Sequence, residues 1–344
     1  MANISHFSPT LIRKAEHWVI GLIGATVFIT LLVTVLAGRE SFLQSISSLT
    51  GGALWWLIGL TTAESFIRFY RYHIAARTLG LKVPFWRLMY YYTVGYGLIP
   101  TPGKVGVAIR LWLLKQYHGL PYSRTTPLLI MDFITDALAM ASLASFAMLL
   151  IDDTRLNTLG WVVGSGLAVG LVGIALAPHY MAGLVKLAYA MGGRRRQRTF
   201  ARLLTLVRTT SQVLGARLLF ITTALSFVSW ALIGISIGIV MQSLGHGFFG
   251  ATEGSLVIAL STMGGFLTMM PAGVGGAEVT MAGLFTMFGV PFAQAVLVTA
   301  LVRFVVLWVP VLTGLALLPI ALRNIPKTPP KRPRMPRKAS FKAD

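Results

Sequence analysis

Six long apolar runs, near residues 17–37, 50–70, 125–151, 159–178, 217–241 and 292–321, constrain this chain more than any other feature. About 20 apolar residues in a helix cross roughly 30 Å of hydrocarbon, so each run predicts a spanning segment. Backbone N–H and C=O groups in lipid must be bonded internally, and runs of this length meet that need as helices. Composition agrees: 55% of the 344 residues are hydrophobic and 12% are charged, about half the charged share of an ordinary soluble domain.

Two further apolar regions, 84–116 and 251–289, are broken midway by Pro and Gly into halves too short to span alone. Irregular backbone at membrane depth is tolerated only against protein or a wet cavity, so each region predicts a re-entrant helical hairpin. The breaks match. Pro102-Gly-Lys-Val-Gly-Val-Ala-Ile-Arg110 aligns with Pro271-Ala-Gly-Val-Gly-Gly-Ala-Glu278, and Tyr117-His-Gly-Leu-Pro-Tyr122 with Met287-Phe-Gly-Val-Pro-Phe292, at an offset of 169 to 170 residues. With three spans between the hairpins, the second enters from the opposite face. The expected fold is an all-α integral membrane protein with six spanning helices and two re-entrant hairpins in an inverted repeat. One membrane domain, 1–326, would comprise halves at about 15–151 and 159–322 with a basic cytoplasmic connector at 179–217. A basic, Pro-rich, disordered cytoplasmic tail would follow at 327–344.

The charges give a topology. The chain carries 30 Lys and Arg against 10 Asp and Glu, a net +20. Arg13 and Lys14, the 71–87 segment with Arg71, Arg77, Lys82 and Arg87, the acid-free connector, and the tail all fall on one side if the N-terminus is cytoplasmic. That satisfies the positive-inside rule and puts both termini in the cytoplasm. The aromatics lie in apolar spans and the cations flank them, which favours attraction to anionic lipid over nucleic acid. Cysteine is absent, so no thiolate metal site or thiol nucleophile exists. The first run is longer than a signal-peptide core and reads as a retained helix.

Proline at 102 removes a backbone donor and, with Pro100, stops the first half-helix. The second half-helix is expected to start near Gly103, its free N–H groups and partial positive charge suited to phosphate. Gly103 and Gly106 admit close approach, while Lys104 and Arg110 add full charges. In the second hairpin Pro271, Gly273 and Gly275 repeat the start, with Glu278 in the first turn. Arg303, mid-span in the last helix, needs an acid, and Glu278 is the candidate. Asp132 and Asp136, four apart on one helix face, are expensive in hydrocarbon unless they pair, protonate or face a cavity. They are candidates for a proton or charge relay, or for partners of Lys104, Arg110 or Arg124. Glu64 and Arg68, also four apart, read as a local helix pair. The six His are scattered, and nothing pairs a nucleophile with a base. No catalytic residue, metal or cofactor is therefore expected.

"PGKVGVAIR", the downstream "IMDFITDAL" and "PAGVGGAE" followed by Arg303 resemble the lysylphosphatidylglycerol synthase transmembrane region family over roughly 15–322. That family includes the lipid-flipping half of the bacterial multiple peptide resistance factor and stand-alone proteins, some linked to hopanoid metabolism. Its P-G-K-x-G-E-x-x-R motif matches Pro102, Gly103, Lys104, Gly106 and Arg110, with Val107 in the glutamate's place. Its E-R-x-x-D motif is met by Asp132 and Asp136, with Phe133 in the arginine's place. No folded domain is expected after Leu322 to carry aminoacyl transfer.

The resemblance and the repeat together imply a non-enzymatic translocator of lipid in the bacterial inner membrane. Its substrate would be a phospholipid, an aminoacyl lipid or a hopanoid-type amphiphile. Anionic lipids would bind the connector and tail, and a second copy of the chain is a candidate partner. A membrane-embedded lipid-modifying enzyme and a non-transporting partner subunit of a lipid synthase stand as alternatives.

Overall fold

The computed structural model describes residues 52–101, 106–190, 197–268, 270–323 and 325–326, with Gly21 and Gly24. Pro102, Gly103, Lys104, the 17–37 run apart from those two glycines, and the 327–344 tail lie outside the described residues, as do Arg194, Arg195 and Arg196 of the connector. In chain order the helices are α1 (Ala53–Thr78), α2 (Phe85–Tyr96), α3 (Ile109–His118), α4 (Tyr122–Leu150), α5 (Thr154–Ala190) and α6 (Gln197–Val213). Then come α7 (Ala216–Ser243), α8 (Ala251–Leu267), α9 (Gly276–Met287), α10 (Phe292–Arg303) and α11 (Val309–Arg323). A 3-10 turn, Pro271–Gly273, lies between α8 and α9, and a π-helical stretch, Phe304–Trp308, joins α10 to α11.

Three described helices are long and apolar enough to cross a membrane: Tyr122–Leu150, Ala216–Ser243 and the continuous Phe292–Arg323. The run expected at 50–70 lies largely in α1, a helix of 26 residues that carries Glu64, Arg68 and Arg71. The run at 159–178 lies inside the 37-residue α5.

The repeated punctuation in the sequence is repeated in the backbone. Gly119 and Gly289 both take left-handed φ, 65° and 80°, which glycine adopts without a Cβ penalty. The residue after each then bonds back into the preceding helix, Leu120 N–H to Leu114 C=O and Val290 N–H to Phe285 C=O. This is the closure expected of a glycine-terminated helix. Pro121 and Pro291 follow as extended residues that start α4 and α10. Helix α3 begins at Ile109, after a 3-10 turn over 106–108, and Gly103, where its start was expected, lies outside the described residues. The neck of that break is closed by Thr101, whose Oγ1 accepts the Gly106 N–H at 2.7 Å and donates to Leu98 C=O at 2.8 Å.

Helix α1, the broken pair α2–α3 and α4 recur in the same order as α7, the broken pair α8–α9 and α10–α11. Their packing is reciprocal. Helix α1 packs on α7; α4, which ends the first set, packs on α8 of the second; and α11, which ends the second, packs on α2 of the first. Lipid tails are as apolar as leucine, so helices in a membrane associate through close van der Waals contact and small residues. The seams are built that way. A Cβ on Gly97 would fall 2.7 Å from the Gly314 carbonyl carbon, and one on Gly238 would fall 2.7 Å from Gly250 O. The π stretch has a local cause: Pro310 offers no N–H and crowds the carbonyl four residues back, so the helix widens just before it.

Candidate functional site

Charged side chains from α1, α3 and α4 converge in the interior. Residues 64, 68 and 71 share one face of α1, and residues 132 and 136 share one face of α4, by helical spacing. Arg71, only 1% exposed, lies between the two aspartates. Its Nη2 donates to Asp132 Oδ1 at 2.8 Å and its Nη1 to Asp136 Oδ1 at 2.5 Å. Arg68 donates to Asp136 Oδ2 at 3.5 Å and pairs with Glu64 on its own helix. Arg110 closes the cluster from α3, its Nη1 3.4 Å from Asp132 Oδ2. Three guanidinium groups thus meet three carboxylates. A lone buried charge costs several kcal/mol, and here each is offset by an opposite one.

The surroundings suit cations. The Arg110 guanidinium lies 3.9 Å from the centre of the Tyr92 ring and 5.2 Å from that of Tyr96, and its Nε donates to Tyr92 C=O at 3.1 Å. Arg110 crosses Gly95, where a Cβ would fall 2.5 Å from Arg110 Cγ. The cluster also reaches the second set of helices: Arg71 donates to Ser226 Oγ and Arg68 stacks on Trp230, both on α7. Tyr72 Oη and Trp230 Nε1 are buried beside it without a hydrogen-bond partner.

A second centre lies at the other break. Glu278, in the first turn of α9, accepts the Gly275 N–H at 2.7 Å through Oε2 and Arg303 Nε at 2.8 Å through Oε1. Arg303 Nη2 donates to Ala272 C=O at 2.9 Å. Ala272 is the one described non-glycine residue with positive φ, 56°, a conformation that costs on the order of 1 kcal/mol and persists where its surroundings hold it. Gly273 and Gly275 take φ of 68° and 86° in the same turn. Pro271 opens that turn, where its missing N–H leaves no bond unmade.

The structure therefore joins Arg110, Asp132 and Asp136 in one cluster, and Pro271, Gly273, Gly275, Glu278 and Arg303 in another. Gly106 stands at the neck of the first break. Val107 is buried, and Phe133 is 43% exposed. Arg71 corrects the sequence reading. It was expected among cations of an aqueous 71–87 segment, but α1 runs on to Thr78 and buries it against two carboxylates. Its spacing from Glu64 and Arg68 on one helix face is the signal that could have revealed it.

A helical membrane protein with charge clusters at two repeated helix breaks is the class these features define. The lysylphosphatidylglycerol synthase TM region family matches residues 18–314, and the chain belongs to that family, whose membrane domain is related to lipid handling. A search among curated proteins finds no match.

Proposed function

We propose that the chain translocates a lipid or amphiphile across the bacterial inner membrane, by alternating access between two opposed re-entrant hairpins. The reciprocal packing of the two helix sets carries this reading. Each set presses its last long helix on the broken helix of the other, as a pair of half-molecules related by a pseudo-two-fold axis would. Broken helices paired in this way are the usual site of substrate binding in secondary transporters. Rocking one set against the other would open one break while closing its counterpart.

In this reading the headgroup phosphate engages the first break, with Lys104 and Arg110 supplying charge and the glycines at 103 and 106 leaving room. The second break, with Pro271, Gly273, Gly275, Glu278 and Arg303, receives the headgroup on the opposite side. Asp132 and Asp136 relay a proton or rearrange their arginine partners as the sets rock. The unpartnered Tyr72 Oη and Trp230 Nε1 are spare donors for water or headgroup oxygen along that path. The protein performs no covalent chemistry. Both termini face the cytoplasm, where the connector and the tail attract anionic lipid.

Transbilayer exchange of a headgroup-labelled phospholipid in proteoliposomes tests the proposal. The protein is expected to accelerate exchange, and Lys104→Ala with Arg110→Ala to slow it by about tenfold or more, the loss of a charge-assisted contact. Lys104→Ala alone controls for misfolding of the double variant. Exchange equal to protein-free vesicles overturns the reading. Rates indifferent to pH and to Asp136→Asn remove the proton relay.

A further inference from the structure

A cavity of about 380 Å³ opens between α2, α3 and α11, away from both charge clusters, and is lined by Trp86, Arg87, Tyr90, Tyr91, Tyr117 and Ile320. Its tyrosine hydroxyls are already engaged. Tyr90 Oη donates to Leu317 C=O at 3.1 Å, Tyr117 Oη donates to Ala321 C=O at 2.7 Å, and Tyr91 Oη lies 3.3 Å from His118 Nε2. What the tyrosines offer a ligand is therefore ring surface, with Tyr91 and Tyr117 stacked at 5.5 Å. Arg87 is exposed, and among the described residues no carboxylate lies within ion-pair distance of it. Trp86 is 74% exposed beside it.

The level of this cavity follows from α11. The apolar helix Phe292–Arg323 ends at Arg323, and the bond from Tyr117 to Ala321 ties the cavity to that end. Exposed Trp, Tyr and Arg at the end of a spanning helix sit among lipid headgroups. There an unpaired guanidinium faces phosphate, and aromatic rings beside Ile320 face the first carbons of an acyl chain.

We propose that this cavity is a binding site for an anionic phospholipid, its phosphate on Arg87 and the upper part of a chain along the rings. The charge of the wall selects the occupant: one cation with no ion-pair partner among the described residues, in a chain of net +20. None of the cavity's lining residues belongs to either charge cluster. It bridges α2 of the first helix set and α11 of the second, the pair that meets at Gly97 and Gly314. A lipid held across that seam favours the packed arrangement, so anionic lipid content tunes the rocking of the two sets.

The test uses the full chain reconstituted with chain-brominated phosphatidylglycerol or chain-brominated phosphatidylcholine, which quench tryptophans they touch. The contribution of Trp86 is the difference between the unmodified protein and Trp86→Phe. Brominated phosphatidylglycerol is expected to occupy the Trp86 site with about fivefold preference, the size of one cation's attraction near a membrane surface. Arg87→Gln is expected to abolish that preference and Arg87→Lys to keep most of it. Equal quenching of Trp86 by both lipids in the unmodified protein, or a preference that survives Arg87→Gln, overturns the proposal. Either result leaves the transport reading standing, because only binding is measured.

Discussion

Between α8 and α9 small residues and one ion pair hold the break, whereas between α2 and α3 a buried arginine does the corresponding work. In the second pair, a Cβ on Gly265 would meet Ala277 Cβ at 2.9 Å, and Thr280 fills the space over Gly264. Arg303 then ties Ala272 to Glu278 across the turn. In the first pair, the long side chain of Arg110 lies across Gly95 and reaches both Tyr92 and Asp132. At the 170-residue offset Arg303 corresponds to Phe133, which is 43% exposed and distant in character from a clamp. Two breaks with the same punctuation thus differ in how they respond to charge: the first depends on a network of six ionisable groups, the second on a single pair.

That contrast is open to attack at graded points. Arg71→Ala removes the 2.8 Å partner of the buried Asp132 and the 2.5 Å partner of the half-buried Asp136, and removing one partner of a buried ion pair typically costs roughly 3–5 kcal/mol. A large fall in the thermal unfolding midpoint in detergent is the expected result; an unchanged midpoint would show that the network is not held in the interior. Next in size is Gly314→Ala, which drives a methyl group into the backbone at Gly97. Overpacking of this kind costs about 1–3 kcal/mol, and the same unfolding measurement should show a smaller drop.

Glu278→Ala removes the acceptors of Arg303 Nε and of the Gly275 N–H, while Arg303 Nη2 keeps Ala272 C=O; Glu278 and Arg303 are partly exposed, at 25% and 15%. A loss of about 1–2 kcal/mol is expected for a hydrogen-bonded charge in that setting, with faster hydrogen exchange confined to residues 271–278. Exchange that rises equally in both breaks would mean that they are not held independently. Phe133→Leu should shift the midpoint least, by under about 0.5 kcal/mol, as befits an exposed apolar side chain outside any cluster. A larger effect would give Phe133 a role in the first break.

Much of the helix plan was legible because its signals act locally. Gly119 and Gly289 set a left-handed turn within one residue, and Pro121 and Pro291 start the next helix two residues on. The Glu278–Arg303 pair was also within reach, since each is a lone charge in an apolar stretch. The bond from the Gly106 N–H to Thr101 Oγ1 at the first break was not legible, because no periodicity announces a side-chain bond of this kind. Arg71 was assigned to water for a similar reason: a cation just past an apolar run looks like a flanking charge until its partners are seen.

By itself, the sequence determined a helical membrane protein whose Pro and Gly punctuation recurs at an offset of 169 to 170 residues, because hydropathy, proline and glycine constrain the backbone over a few residues. Only the tertiary structure decided which charges meet. Arg71 and its aspartates are 61 and 65 residues apart in the chain, and Arg87 reaches its cavity only because α11 comes to lie on α2. Those contacts depend on which helix faces pack together, and that is fixed by close approach at glycines such as Gly97 and Gly314, far apart in sequence and adjacent in space.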